Sequence, residues 1–291
     1  MRLGGYWGAE RIDELEPLCD KLDAFGLSAI AAPTRIMEMS EKECTEFGNR
    51  ACDLGIVVGE TGLWENLLTA DRILQTRRIE RMRELLKKAD AMRCHCVASC
   101  VGTKDSSDNQ LAPHPYLFTE ECKSEFREVA LRILDGLDLE HTRYVIEPYN
   151  NTFFYQPENI LEFINSVDHP MFGLHLDQMN MINHENFYRT TELINTTFEL
   201  LQEIIVSVHL KDIYWDFSHM FLKWDEVHIG DGVMDYDTYL TQLAKLPSDT
   251  PCYCEHMDKE CEYALNFARL HHMASKAGVR FLRRNENLIK E

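Results

Sequence analysis

Short apolar segments alternate with longer amphipathic segments from one end of this chain to the other. The segments between the short ones carry apolar residues at helical spacing, as at Ile12, Leu15, Leu18 and Leu22. Strict alternation predicts parallel strands covered by helices, and eight repeats in 291 residues predict a closed barrel. We therefore expect an α/β protein with a single (β/α)8 TIM barrel. The predicted strands are residues 3–6, 29–32, 56–59, 94–100, 144–147, 172–177, 205–209 and 252–255.

The chain shows no internal division. Glycines mark the predicted helix ends at Gly26, Gly55 and Gly278. Composition does not change along the sequence, so we predict one domain over residues 1–291. The alternative is a doubly wound open sheet, but no glycine-rich phosphate-binding motif follows the first strand. Residues 102–117 and 214–230 are the least regular parts and are expected to form loops.

The composition limits the class of partner. The chain has 49 acidic and 30 basic residues and a net charge of −19, a field that repels polyanions, so nucleic acid is not an expected partner. No segment is apolar enough to cross a membrane, and the N-terminus lacks an apolar signal region. We expect a cytoplasmic protein without a membrane partner. The ten scattered cysteines are expected to be free, buried thiols.

Four potential metal ligands fall at the carboxyl ends of four predicted strands: Glu147, Asp177, His209 and Glu255, here called the quartet. The carboxyl ends of barrel strands converge on one face, and strand alternation turns these side chains inward. Three carboxylates and an imidazole would repel one another without a cation. Oxygen-rich donors of this kind favour Mn²⁺, Mg²⁺ or Co²⁺, with Zn²⁺ as an alternative. Singly, Asp177 could be a helix cap and His209 a core histidine.

These residues stand in motifs that resemble the xylose-isomerase-like barrel superfamily of sugar isomerases and epimerases. The resemblance implies that the quartet binds one divalent metal ion, that Glu147 and Glu255 also transfer protons, and that no organic cofactor is used. Homo-oligomers are expected only by analogy with that group. The motifs are Glu147-Pro148, Leu176-Asp177-x-x-Asn180, His209-x-Lys211-Asp212, Gly230-Asp231-Gly232 and Glu255-His256.

The chemistry of such a site explains why its reaction class stays open. An ion that chelates a carbonyl and the adjacent hydroxyl acidifies the C–H between them and stabilises the enediolate. Proton return to the opposite face is epimerisation, and return to the neighbouring carbon is isomerisation. A sugar isomerase or epimerase is the first hypothesis. The alternative is a lyase, either a keto-inositol dehydratase or a carbon–glycoside-cleaving enzyme.

Six further residues are candidates for substrate binding, each with a structural alternative. Lys211 lies on the same strand face as His209 and could donate to a substrate oxygen or form an ion pair within the quartet. Asn180 could bind a hydroxyl or cap a helix, and Glu60 could bind a hydroxyl or form a turn. The other three candidates, placed on or near loops that follow strands, are Trp7, His114 and His228.

Two other functions can be considered on the same fold. A type-four apurinic endonuclease would require histidines after the third and fourth strands, and the sequence has Glu60 and Ser99–Cys100 there. Asn180 also stands where the nuclease pattern has histidine, and only Glu226-x-His228 resembles that pattern. A non-catalytic barrel is the other alternative, and the intact quartet argues against it.

Overall fold

A computed structural model describes residues 1–218, 220 and 223–286. Ten strands are present in this part of the chain: β1 (Arg2–Gly4), β2 (Ala29–Ala31), β3 (Val57–Gly62), β4 (Cys96–Ser99), β5 (Arg143–Ile146), β6 (Phe172–Asp177), β7 (Ile205–Leu210), β8 (Asp212–Trp215), β9 (Trp224–Val227) and β10 (Pro251–Cys254). Eight helices lie between and after them: α1 (Leu15–Phe25), α2 (Glu41–Asp53), α3 (Arg72–Ala91), α4 (Glu120–Leu134), α5 (Pro157–Val167), α6 (Thr190–Leu201), α7 (Tyr236–Leu243) and α8 (Glu260–Lys276).

The eight parallel strands form a nearly closed barrel. Their order around the sheet is β1, β10, β7, β6, β5, β4, β3 and β2. The two ends of that series meet where the amide of Ser28 donates to the carbonyl of Leu3 at 2.9 Å. The predicted (β/α)8 barrel is therefore confirmed, and the open-sheet alternative is wrong. Each predicted strand is present, with ends shifted by a few residues.

Helix α1 shows why the local sequence folds as it does. Its apolar residues Leu15, Leu18 and Leu22 recur at helical spacing and are buried against the barrel. Gly26 follows in the left-handed conformation with φ 66°, which costs glycine little and ends the helix. Gly55 and Gly278 also have positive φ just beyond α2 and α8.

Polar side chains cross the inside of the barrel below its carboxyl-terminal mouth. The hydroxyl of Tyr253 accepts from the amide of Gly59 at 3.1 Å and donates to the carbonyl of Ile30 at 2.7 Å. Ser207 contacts both His175 and Cys96. These are inward-facing positions expected from strand alternation, and they continue upward to the quartet.

The predicted loop at 214–230 contains parts of two strands. Strands β8 and β9 pair in antiparallel fashion beyond the end of β7, so the expectation of an irregular segment at 214–230 is wrong over these strands. Sequence patterning missed them because the pair lies outside the barrel repeat. Residues 219, 221 and 222 of that predicted loop, and residues 287–291 of the predicted domain, lie outside the described residues.

Asp212 holds the glycine turn against the barrel. Its carboxylate accepts from the amides of Gly230 at 2.9 Å, Gly232 at 3.1 Å and Met234 at 3.0 Å. A Cβ at position 232 would collide with the Asp212 carboxylate, so the motif requires glycine there. The Gly230-Asp231-Gly232 turn thus has a structural role at the mouth of the barrel.

Within the described residues, the helices and cysteines indicate neither a membrane span nor a disulfide. No helix in the described ranges combines the length and hydropathy needed to cross a bilayer. The ten cysteines are free; eight are buried, as expected, while Cys52 and Cys261 are exposed.

Candidate functional site

The quartet converges at the carboxyl-terminal mouth of the barrel. Glu147 directly follows β5, Asp177 ends β6, His209 lies near the end of β7 and Glu255 directly follows β10. One donor atom from each residue lies within 4.8 Å of the others. Glu147, Asp177 and His209 are almost fully buried, and Glu255 is partly buried. The tertiary structure therefore assembles four donors that are distant along the sequence.

Two nitrogens lie among the carboxylates. His209 Nδ1 is 2.7 Å from Glu255 Oε1 and 3.6 Å from Glu147 Oε1. Lys211 Nζ is 2.7 Å from Asp177 Oδ2 and also pairs with Glu255 Oε1. Of the two roles considered for Lys211, the structure displays the ion pair within the quartet.

The quartet has the donor chemistry of a site for a hard divalent ion. Asp177 Oδ2, His209 Nδ1 and Glu255 Oε1 are buried but, within the described part of the chain, make no hydrogen bond. Asp177 Oδ2 and Glu255 Oε1 contact Lys211 as ion pairs, and His209 Nδ1 contacts Glu255 Oε1. Buried polar atoms without hydrogen-bond partners are costly, and a shared cation would satisfy them. Three carboxylates and one imidazole fit Mn²⁺, Mg²⁺ or Co²⁺.

Two neighbouring side chains hold Glu147. Tyr149 donates its hydroxyl to Glu147 Oε2 at 3.2 Å, and Asn180 donates its amide to Oε1 at 3.0 Å. Asn180 also donates its backbone amide to Asp177 Oδ1 at 3.2 Å. Tyr149 was not among the predicted site residues, although it lies only two residues after Glu147.

Glu60 occupies a different position from the one expected. The third strand continues to Gly62, so Glu60 lies within β3 and not after it. Its Oε1 is 3.2 Å from His209 Nε2. His175 lies below, with Nδ1 2.5 Å from the hydroxyl of Ser207. Glu60, His175 and His209 form a second group of closely spaced donors and line a cavity of about 370 Å³ with Trp64.

The two glutamates of the quartet have opposite pKa shifts. Burial raises the pKa of Glu147. Burial acts in the same direction on Glu255, but the charges of His209 and Lys211 outweigh it and hold the pKa of Glu255 below its usual range. Such a difference is typical of carboxylates placed in unlike environments within one site.

His256 was named in the Glu255-His256 motif, but no role in the site was predicted for it. His256 has a left-handed backbone with φ 59°. Its Nδ1 is 3.0 Å from Glu226 Oε2, and its Nε2 is 3.5 Å from Glu255 Oε2. Glu226 therefore pairs with His256. His228, by contrast, lies 3.8 Å from Glu262, so the two ends of the Glu226-x-His228 pattern have different partners.

The three remaining predicted substrate-binding residues have structural contacts. Trp7 is buried and stacks on Phe25 with ring centroids 4.5 Å apart. His114 Nδ1 accepts from the amide of Tyr116 and caps a short helix. His228 lies between Asp231 and Glu262. Substrate binding by Trp7, His114 and His228 stays a prediction.

Comparison with known proteins shows the relationship of this chain to a family. A family model described as xylose isomerase-like TIM barrel matches residues 19–285, which is most of the chain. No curated protein matches the sequence.

Solved structures with the same fold differ widely in sequence. A xylose isomerase-like TIM barrel protein from Mycobacterium smegmatis in complex with magnesium has 15% identity and a TM-score of 0.61, over 91% of this chain and 89% of that one. The probable 3-DHS dehydratase AsbF from Bacillus anthracis has 15% identity and a TM-score of 0.63, over 92% and 98%. D-psicose 3-epimerase, solved in the presence of D-fructose, has 17% identity and a TM-score of 0.58, over 95% and 96%. The TM-scores show a shared fold, and likenesses at such low identity show the fold alone.

Proposed function

Because the chain belongs to the xylose isomerase-like TIM barrel family, we propose that it is a divalent-metal-dependent isomerase or epimerase. Its substrate is a sugar, a keto-sugar or a keto-inositol. The observation that carries the proposal is the quartet, whose four donor atoms lie within 4.8 Å of one another at the mouth of the barrel. A carboxylate-rich cluster buried at this end of a barrel is suited to metal-assisted chemistry.

We propose that the quartet holds one ion of Mn²⁺, Co²⁺ or Mg²⁺, with Zn²⁺ as the alternative, and that no organic cofactor is needed. A bound divalent ion supplies Lewis acidity, which polarises a carbonyl and stabilises negative charge on adjacent oxygens. The three orphaned atoms Asp177 Oδ2, His209 Nδ1 and Glu255 Oε1 support this assignment.

Glu147 and Glu255 are the proposed proton-transfer residues. They come from β5 and β10, and their Oε1 atoms lie 3.6 and 2.7 Å from His209 Nδ1. Tyr149 and Asn180 fix the orientation of Glu147 by donating to its two oxygens. Two oriented carboxylates can remove a proton from one face of a substrate and return it to another position.

Lys211 is proposed to bind substrate. Its ammonium group pairs with Asp177 and Glu255 in the structure. When those carboxylates coordinate an ion, Lys211 is available to donate to a substrate oxygen. Asn180, which borders Glu147, is a second proposed contact. Four further residues were predicted to bind substrate, and this stays a prediction for each: His228, Trp7, Glu60 and His114.

A lyase is the second candidate. The same two carboxylates would remove a proton and assist loss of a β-hydroxyl if the substrate carried one. The shared fold with a probable dehydratase favours keeping this alternative, and a carbon–glycoside-cleaving reaction belongs to the same class. The two candidates differ in product: an isomerase or epimerase conserves the atoms of its substrate, whereas a lyase expels a fragment.

The wider proposals concern partners and location. We propose that the partner is a small molecule and that the protein is cytoplasmic, with one domain over residues 1–291 and with homo-oligomers expected by analogy alone. The net charge of −19 supports a role without nucleic acid.

Solvent exchange tests the proposed function directly. The Mn²⁺-loaded protein is incubated in D₂O with a panel of keto-sugars and keto-inositols, and products are analysed by mass spectrometry and NMR. Deuterium uptake at carbon without loss of a fragment is expected for at least one compound, and EDTA should abolish it. Exchange coupled to loss of water would favour the lyase. Activity that resists EDTA, or no metal binding by the protein, would contradict the proposal.

A further inference from the structure

Glu60 contacts the opposite edge of the His209 ring from the quartet. His209 Nδ1 is 2.7 Å from Glu255 Oε1, inside the quartet. Its Nε2 is 3.2 Å from Glu60 Oε1, outside the quartet. Glu60 reaches this position because it lies in β3, across the barrel mouth from β7. One imidazole ring therefore links the quartet to a fourth carboxylate.

We propose that Glu60 is a positioning residue for His209. It accepts a hydrogen bond from Nε2–H, so the Nδ1 lone pair is directed to an ion in the quartet. A neutral imidazole carries one N–H, and the nitrogen that donates leaves the other as the ligand. The carboxylate also increases the basicity of the ligating nitrogen. This inference rests on the proposed function, because it presumes that the quartet binds an ion.

Packing below the ring supports a fixed orientation. The rings of His175 and His209 meet edge to face, with centroids 4.0 Å apart and an interplanar angle of 86°. His175 is itself held by Ser207 and is fully buried. Packing restricts the plane of the His209 ring but does not by itself determine which nitrogen faces the quartet. The hydrogen bond to Glu60 supplies that preference.

Two other roles for Glu60 predict different results in a metal titration. Glu60, His175 and His209 could hold a second ion, since their donor atoms are within 4.8 Å of one another. That arrangement would require His209 to be shared between two ions, and His175 Nδ1 already contacts Ser207. Glu60 Oε2 could instead bind a substrate hydroxyl from the adjoining cavity of about 370 Å³. The first role adds a second ion per chain, and the second leaves metal affinity unchanged.

Calorimetric titration with Mn²⁺ alone tests the proposal in the full chain. Wild type is expected to bind one ion. Glu60→Ala removes the acceptor, so its affinity should fall by about 10- to 100-fold, the usual effect of losing such a partner. Glu60→Gln keeps an acceptor oxygen, so its loss should be smaller. Glu226→Gln is the comparison variant, because Glu226 lies 3.0 Å from a nitrogen of His256, which contacts Glu255 at 3.5 Å but is not itself a member of the quartet.

Co²⁺ absorption and thermal unfolding separate positioning from a structural role. The visible spectrum of bound Co²⁺ should change in Glu60→Ala, while the melting temperature of the metal-free variant stays close to that of wild type. If Glu60→Ala does not fold, the affinity of Glu60→Gln relative to Glu226→Gln decides. The proposal would be overturned if Glu60→Ala kept the Mn²⁺ affinity of wild type, or if Glu226→Gln lost as much affinity as Glu60→Ala. It would also be overturned if wild type bound a second ion that the Glu60 variants did not bind. Wild type that binds no Mn²⁺ would instead refute the proposed function.

Discussion

His209 connects more of the candidate site than any other residue discussed above. Its ring contacts carboxylates on both edges, Glu255 at Nδ1 and Glu60 at Nε2, and packs on His175. Burial acts to lower the pKa of His209, but these neighbouring carboxylates raise it above the usual value. A metal ligand must be the neutral imidazole, so an ion bound in the quartet would displace the Nδ1 proton that these carboxylates favour.

The two glutamates of the quartet are predicted to be essential for turnover. Glu147→Gln and Glu255→Gln each preserve side-chain shape but remove a carboxylate that we propose transfers a proton. Turnover should fall by about 10²- to 10⁴-fold, the usual contribution of general acid–base catalysis. Steady-state kinetics on the substrate found by deuterium exchange measures this effect, and circular dichroism checks the fold. Full activity in either variant would refute the two-carboxylate mechanism.

At the scale of elements, short strands and capped helices place the functional groups. Strand β5 ends just before Glu147 and β6 ends on Asp177, so both side chains lie at the carboxyl-terminal end of the sheet. The loop that follows β4 is held by polar contacts to α3 and to the segment that precedes α3. Asn66 donates its amide to the Thr103 carbonyl at 2.9 Å, and Arg78 pairs with Asp108 at 2.6 Å. These contacts fix one wall of the barrel mouth.

The pair of Arg78 and Asp108 gives an element-scale prediction with a defined pH dependence. The hydrogen bond from Arg78 lowers the pKa of Asp108 below its usual value. A lowered native-state pKa stabilises the fold above the unfolded-state value near 4, and this stabilisation disappears as the pH falls through the native pKa. Asp108→Asn should lower the free energy of unfolding by about 1–2 kcal/mol at pH 7. The difference from wild type should shrink below about pH 4.

Urea denaturation across this pH range provides the measurement. Asparagine tolerates the left-handed backbone found at Asp108, with φ 57°, so the substitution isolates the charge. Asp168→Asn is the matched control, because Asp168 has φ 49° and, among the described residues, no ion pair. A pH-independent loss at Asp108, or an equal loss at Asp168, would contradict the electrostatic explanation.

At the scale of the whole molecule, acidic residues dominate both the surface and the site. The chain carries a net charge of −19, and three carboxylates of the quartet are concentrated at one end of the barrel. Lys211 is a buried cation among them. Its ammonium group supplies positive charge to Asp177 and Glu255. Folding stability and metal binding are therefore expected to be coupled.

Lys211→Met tests that coupling. Removing one partner from a buried ion pair is strongly destabilising, so the variant should lose about 3–5 kcal/mol of stability in EDTA. A bound ion stabilises the native state by about 2.7 kcal/mol at a concentration 100 times Kd. Because Lys211 no longer competes for the same oxygens, Mn²⁺ should raise the melting temperature of the variant more than that of wild type.

Thermal unfolding in EDTA and in Mn²⁺ measures both effects. Lys223→Met is the control, because Lys223 also pairs with two carboxylates, Asp216 and Asp225, but at the protein surface. Exposed pairs contribute about 0–1 kcal/mol, so this variant should differ little from wild type. If Mn²⁺ raised the melting temperature of Lys211→Met and of wild type by the same amount, the lysine and the ion would not share ligands.

The sequence alone determined the barrel and the four donors of the quartet. Strand and helix periodicity are local properties, and eight repeats leave few ways to bury their apolar faces. The quartet was visible because strand ends in a parallel barrel meet at one face. Because periodicity is local, the eight predicted strands differ from the observed strands only by small shifts of their ends.

Only the tertiary structure decided the contacts between strands. Glu60 and His209 are far apart in sequence, and a strand pattern cannot show which ring nitrogen meets which carboxylate. Tyr149, the ion pairs of Lys211 and the pairing of β8 with β9 also depend on how distant segments come together. Hydrogen bonds act over about 3 Å, whereas one strand residue spans about 3.3 Å, so a small shift in register changes these partners.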